Sequence, residues 1–168
     1  MAVRRIPRWV ARAPIPLFRH GFGWLLGKRI MMLEHRGRKT GRPRYAVLEV
    51  VDREPDALVL VSGYGGNSQW FRNVVADPAV RVWNGRTRGA TARATVMPPE
   101  QTRTRLESYR ARNPRSAAAL GRILGIAELS GSEQLPADIA ERLPLVRVHL
   151  LDEPNATKTD SRESPYRN

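Results

Sequence analysis

Ile30-Met31-Met32-Leu33, the polar segment Gly37-Arg38-Lys39-Thr40-Gly41-Arg42-Pro43, and Tyr45-Ala46-Val47-Leu48-Glu49-Val50-Val51 form the stretch that decides the fold. Two apolar, β-prone runs flank a segment whose glycines and proline interrupt regular structure. That pattern predicts two strands joined as a hairpin with a basic tip. Beyond it, Ala57-Leu58-Val59-Leu60-Val61 is apolar throughout, as a buried strand is. It runs into Ser62-Gly63-Tyr64-Gly65-Gly66-Asn67, whose glycines allow the backbone to approach a ligand closely.

Ser68 is expected to cap a short helix from Gln69 to Ala76, because Asp77-Pro78 follows and the residue before proline is pushed out of helical geometry. Trp70, Asn73 and Val74 share one face of that helix. Val80-Arg81-Val82-Trp83, Asn84-Gly85 and the alternating residues from Arg86 to Met97 predict a second hairpin, its Asn-Gly pair suited to a type I′ turn. On the long strand Ala90, Ala92, Ala94 and Val96 are expected to face one way. Pro98-Pro99 opens a helical stretch toward Arg112, another follows from Pro114 to Leu124, and Leu145 to Leu150 returns as a last strand.

Several strands, two hairpin connections and few helices imply a mainly β fold with α elements (α+β). The expected architecture is a largely antiparallel barrel with peripheral helices rather than a doubly wound sheet. Three parts are expected: an N-terminal basic and aromatic cap over residues 1–28, a barrel domain over 29–151, and a disordered tail over 152–168, which is polar and contains proline.

The 168 residues suit one compact domain, and no apolar stretch approaches the roughly 18 residues that a membrane-crossing helix needs. Arg4-Arg5 could open a twin-arginine signal, but Pro7, Arg8, Arg12, Pro14 and Pro16 stand where an apolar core should follow, so the segment reads as uncleaved. The absence of cysteine excludes disulfides, thiolate metal sites and a cysteine nucleophile, and accords with a reducing cytoplasm. Cytoplasmic location is the expectation. A second placement, peripheral at the inner membrane face, is suggested by the cations interleaved with Trp9, Phe18, Phe22 and Trp24.

A net charge of +13 attracts polyanions of any kind, whether nucleic acid, anionic lipid or a phosphorylated cofactor. Five of the cations, Arg36, Arg38, Lys39, Arg42 and Arg44, fall within nine residues punctuated by Gly37, Gly41 and Pro43. Bent backbone with converging N–H groups, combined with guanidinium forks, binds phosphate and carboxylate; charge alone favours the plainer reading of a solvated hairpin tip. The string is no Walker A loop, since Arg38 precedes Lys39 and the leading glycine spacing is missing. His20, His35 and His149 are scattered without acidic partners at ligand spacing, which speaks against a metal site and against a serine–histidine triad.

The run Leu33-Glu34-His35-Arg36-Gly37-Arg38-Lys39-Thr40-Gly41-Arg42-Pro43-Arg44 resembles the Gly-Arg-Lys-Thr-Gly-x-Pro-Arg signature of the deazaflavin (coenzyme F420)-dependent nitroreductase family. Ser62-Gly63-Tyr64-Gly65-Gly66, with Trp70-Phe71-Arg72-Asn73 and Asp77-Pro78, resembles that family's second block, and the likeness covers roughly residues 20 to 97. The resemblance implies a split β-barrel like that of FMN-binding proteins, and hydride transfer from reduced coenzyme F420 to a small electron-poor acceptor: a quinone, a nitroaromatic or an activated enone. It implies that Arg38, Lys39, Thr40, Gly41, Pro43 and Arg44 bind the phosphate and oligoglutamate tail. Ser62, Tyr64, Gly65 and Gly66 would then line the deazaflavin ring and its linker, with Trp70 and Asn73 closing the pocket. Many relatives carry a lysine after the serine of the second block, where this chain has Gly63-Tyr64. No catalytic side chain is assigned, because the cofactor carries the chemistry and the protein supplies positioning.

Two other readings remain open on the sequence. One is a basic binding module for nucleic acid or anionic membrane, although no nucleic-acid motif is present and no specific nucleic-acid partner is expected. The other is a split-barrel flavoprotein that uses FMN, since fold does not fix function.

Overall fold

The computed structural model describes residues 15–20, 25 and 27–151. Six strands close into an antiparallel barrel: β1 (Ile30–Arg36), β2 (Pro43–Arg53), β3 (Ala57–Val61), β4 (Ala79–Asn84), β5 (Thr87–Val96) and β6 (Leu145–Leu150). Around the barrel the order is β1-β2-β3-β6-β5-β4, and β4 pairs back with β1. The α-helices among the described residues are α1 (Ile15–Arg19), α2 (Gln69–Ala76), α3 (Pro99–Arg112), α4 (Pro114–Leu124) and α5 (Ile139–Arg142). The fold is the antiparallel barrel with peripheral helices that the strand pattern predicts. The expected N-terminal cap lies largely, and the expected tail wholly, outside the described residues; within the cap, Phe18 of α1 is buried.

Two apolar clusters explain why β3 is hydrophobic at every position. Leu58 and Leu60 point into the barrel with Met31, Leu33, Val80, Val82, Ala92, Ala94, Val146 and Val148. Val59 and Val61 point the other way, into a second cluster with Leu106, Tyr109, Leu120, Leu124, Leu129, Ile139 and Leu145. A strand walled on one side by the barrel interior and on the other by helices has no solvent face, so alternation disappears. Helix α2 lies against β1, β2 and β5 and contributes Trp70 and Val74 to the barrel cluster.

Charged side chains hold the helical layer onto the barrel. Val50 and Asp52 of β2 flank a register shift, and the buried Asp52 carboxylate accepts hydrogen bonds from Arg105 and, at 2.9 Å, from Arg112 of α3. Burial alone would push the Asp52 carboxyl up, but the bonds from Arg105 and Arg112 outweigh it and hold the group below the ordinary carboxylate range. The buried Tyr109 hydroxyl donates to Glu49 at 2.8 Å, and Arg29 reaches the same carboxylate oxygen at 3.0 Å.

The structure departs from the sequence expectation in four places. The first hairpin is longer on both sides, so Arg36, Pro43 and Arg44 belong to strands and only residues 37–42 form the turn. Ser68 occupies the N-cap of α2 but makes no side-chain cap bond. The second hairpin turn is not type I′. Only Gly85 has positive φ, and Asn84 pairs with Thr87, the pattern of a type II′ turn with glycine first. The Asn84 side chain is committed elsewhere, its Nδ2 donating to Lys28 O at 3.0 Å and to Ile30 O at 2.9 Å. Finally, Ala92 and Ala94 face the core as expected, but Val96 is exposed and Met97 takes the buried place as the chain turns into α3.

Candidate functional site

The basic turn is closed by its own backbone. Gly37 N–H donates to Arg42 O at 2.9 Å, while Thr40 N–H and Gly41 N–H both donate to Gly37 O, at 3.0 and 2.7 Å. Gly41 sits at φ +64°, a region that side chains disfavour, and a Cβ on Gly37 would lie 2.9 Å from Thr40 Oγ1. With the backbone turned inward, Arg38, Lys39, Thr40, Gly41, Arg42, Pro43 and Arg44 are all exposed. Arg36 pairs with Asp77 at 3.8 Å, whereas no ion pair among the described residues involves Arg38, Lys39, Arg42 or Arg44. Cations this dense and without carboxylate partners raise the local potential and favour an anionic ligand.

The second block is organised by Ser62, which is wholly buried. Its Oγ lies 2.8 Å from both Gly65 O and Ser68 Oγ. One hydroxyl carries one proton, so Ser62 donates to the carbonyl and Ser68 donates to Ser62. The Ser68 side chain is thus turned toward Ser62 and makes no bond to the N–H groups of α2. Arg72 then straps the loop to the helix, its Nε donating to Gly66 O at 2.9 Å and its Nη2 to Asn67 Oδ1 at 2.7 Å.

The two blocks meet on α2. Asn73 Oδ1 accepts from the Arg38 backbone N–H at 3.2 Å and from Arg38 Nη1 at 3.0 Å, and Gln69 Oε1 accepts from the same guanidinium at 3.0 Å. Behind Asn73 its Nδ2 lies 3.1 Å from Nδ1 of the buried His35. Burial holds His35 below the ordinary histidine range, and the positive charge of Arg44 lowers it further against a backbone contact at Arg36 that raises it. Asn73 is therefore buried beneath the turn. Trp70 stands in the barrel cluster, edge-on to Phe71 at 6.1 Å between ring centroids.

On the other side of the glycine loop is a cleft of about 420 Å³. Its walls are Gly63 to Asn67, Leu124 to Ile126, Glu141 and Arg142. Gly65 sits at φ +58°, and a Cβ there would lie 3.1 Å from Glu141 O. A Cβ on Gly63 would lie 2.7 Å from Leu124 Cδ2, so Leu124 occupies the space that a side chain at this position would need. At Gly66 a Cβ would meet nothing within 4 Å. Tyr64 is partly exposed on the same wall. Arg142 is oriented by Glu128, whose carboxylate is 2.7 Å from Nη1 and is held below the ordinary range by that bond. Leu124, Ile126, Glu141 and Arg142 carried no sequence signal of a site, because helix packing alone brings them to the loop.

The model of the F420H(2)-dependent quinone reductase family matches residues 19–119, which include both blocks. The chain belongs to that family. It is an oxidoreductase, a reductase dependent on coenzyme F420. Among solved structures, a domain-swapped dimer is 20% identical, with a TM-score of 0.51 and 84% of this chain and 98% of that chain covered. A pyridoxamine 5′-phosphate oxidase-related, FMN-binding protein from Nostoc punctiforme is 14% identical at a TM-score of 0.51, with 89% of this chain and 83% of that one covered. Likenesses at this identity show the split-barrel fold. No curated protein matches. The residues present fit the cofactor: cations without carboxylate partners suit an anionic tail, and the open space at Gly66 leaves room for a planar group against bare backbone.

Proposed function

We propose that the turn from Arg38 to Arg44 holds the phosphate and oligoglutamate tail of coenzyme F420, and that Tyr64, Gly65 and Gly66 line the ring and linker. The acceptor is a small electron-poor molecule: a quinone first, a nitroaromatic or an activated enone as further substrates of the same chemistry. The observation that carries this reading is the contact of Arg38 with Gln69 and Asn73, which brings the turn, whose cations have no carboxylate partners, beside the glycine loop on one helix.

When bound, the cofactor supplies a hydride. The chain's own residues supply position and electrostatics. Lys39, Arg42 and Arg44 neutralise the tail and fix its direction, while Arg38 is held in place by α2. Ser62 fixes the glycine loop from within, and Trp70 supports α2 from the barrel cluster, so both act through the residues they hold. Leu124 and Ile126 present an apolar wall across the cleft from Tyr64, which excludes water from a ring lodged there.

The test is titration of the purified protein with coenzyme F420 and, in parallel, FMN, each followed by fluorescence, with Gly66→Ala beside the parent. Micromolar or tighter F420 binding is expected, weakening with salt. The Gly66→Ala methyl meets no protein atom within 4 Å, so the melting temperature should hold while F420 affinity falls at least tenfold. Binding of FMN without F420, or unchanged F420 affinity in the variant, overturns the placement.

A further inference from the structure

Asn73 is a buried amide with all its polar atoms spoken for in one sense only. Its oxygen accepts from the Arg38 backbone N–H and from the Arg38 guanidinium, and its nitrogen donates to His35 Nδ1. That pattern requires a lone pair on His35 Nδ1, hence a neutral ring with its proton on Nε2. A protonated ring would present N–H to N–H. The amide could satisfy it only by turning over, which would point its NH₂ at two Arg38 donors and release them.

We propose that Asn73 is a positioning residue for the anion-binding turn, locked by neutral His35, and that protonation of His35 releases Arg38 and weakens the hold on the cofactor's tail. The proposal rests on the reading of Arg38 to Arg44 as the tail site. It concerns the geometry of the turn, and it runs opposite to simple charge. An added positive charge on His35 should by itself attract an anionic tail, whereas loss of the lock should repel it by disordering the donors.

The groups around His35 favour the neutral ring. From β2, Arg44 stands opposite in the strand register and disfavours a second positive charge. On β1, Arg36 is next in sequence and is paired with Asp77, which follows α2, so the nearby carboxylate is already engaged. From the turn comes Arg38, and from β4 only the apolar Val80 pairs with His35. Burial and Arg44 together place the titration below the ordinary histidine value of 6.5. The switch therefore acts on acidification from that value downward.

The decisive variant is His35→Asn. Its amide oxygen takes the place of Nδ1 as acceptor and does not titrate. Parent and variant are titrated with coenzyme F420 at pH 7.5 and at pH 5.5 and fixed ionic strength, and the ratio of their affinities is compared, so that ionisation of the ligand itself cancels. At pH 7.5 the two should agree within about threefold, and at the lower pH the parent should lose severalfold relative to the variant, up to the ceiling of about tenfold that one pH unit below 6.5 allows. Parallel behaviour of the two proteins, or a relative gain by the parent on acidification, overturns the lock. A second readout needs no ligand. In the ¹⁵N-labelled parent the His35 ring should show the Nε2–H tautomer at pH 7.5, and the Arg38 amide resonance should shift with the His35 titration. Should His35→Asn fail to fold, Asn73→Asp replaces it, since a carboxylate accepts from both sides and should raise the His35 titration. An Arg38 amide indifferent to His35 sinks the proposal whatever binds the turn, while a coupled amide with no F420 affinity keeps the lock and fails the tail site.

Discussion

Replacing Lys39 and Arg44 together by alanine separates the binding role of the basic turn from any role in the fold. Both side chains are exposed and neither has an ion-pair partner among the described residues. The backbone pairing of Arg44 with His35 across β1 and β2 survives the substitution. Exposed changes of this kind usually alter stability by no more than about 0.5 kcal/mol each. Against the tail, each charge-assisted hydrogen bond is worth about 1.5–3 kcal/mol, so additive loss of the pair gives about 3–6 kcal/mol, or roughly two to four decades in Kd. Turnover at saturating cofactor should fall much less, because contacts to the tail are made equally in ground and transition states. The assay is fluorescence titration of coenzyme F420 at pH 8, where His35 is neutral with or without the Arg44 charge, alongside a thermal melt. The variant's affinity should also depend less steeply on salt. An unchanged Kd in a folded double variant would show that the turn is a solvated hairpin tip and would remove the tail site.

Gly65→Ala should lower both stability and cofactor affinity, because φ +58° and the 3.1 Å approach to Glu141 O leave no room for a methyl without moving the loop. About 1–2 kcal/mol is expected from the backbone alone, and a melt indistinguishable from the parent's would contradict it. Asp52→Asn should cost about 2–3 kcal/mol by thermal or urea unfolding, below the roughly 3–5 kcal/mol of a fully buried pair because Arg105 and Arg112 can rehydrate. Since the folded Asp52 carboxyl titrates below its ordinary 3.8, its contribution is complete above that value and is lost as pH falls through the folded one. The variant's acid unfolding curve should therefore be flatter in that window; a parallel curve would mean that Asp52 gains nothing from its arginines.

The barrel was legible because its signals are local. The ends of β3, α4 and β6 fall where turn residues, proline and apolar runs place them, and the two-faced burial of β3 explains its unbroken hydrophobicity. The expectations that failed were side-chain roles at element ends. Ser68 is drawn from its cap by Ser62, and Asn84 is drawn from its turn by the carbonyls of Lys28 and Ile30. For Asn84 the partners lie more than fifty positions away, outside any local window; for Ser68 the competitor is six residues upstream, and its burial rather than its distance hid it from the sequence.

The site divides along the same line. The cationic half of the candidate site is compressed into nine residues whose glycines and cations can be read directly, whereas its far wall is assembled from α4, α5 and the residues after α4, far along the chain. Gly63 joins the two halves. Leu124 fills the space above it, and the αL Gly125 that ends α4 directs the chain on to Ile126, so the residue missing from the signature is answered by a helix end some sixty positions away. A side chain at 63 and a leucine at 124 cannot both stand there without a shift. The identity of the wall opposite the glycine loop is therefore set by how the helical layer docks, and Asp52, Glu49 and their arginines fix that docking. The same ion pairs that stabilise the fold thus set the wall of the cleft opposite the glycine loop.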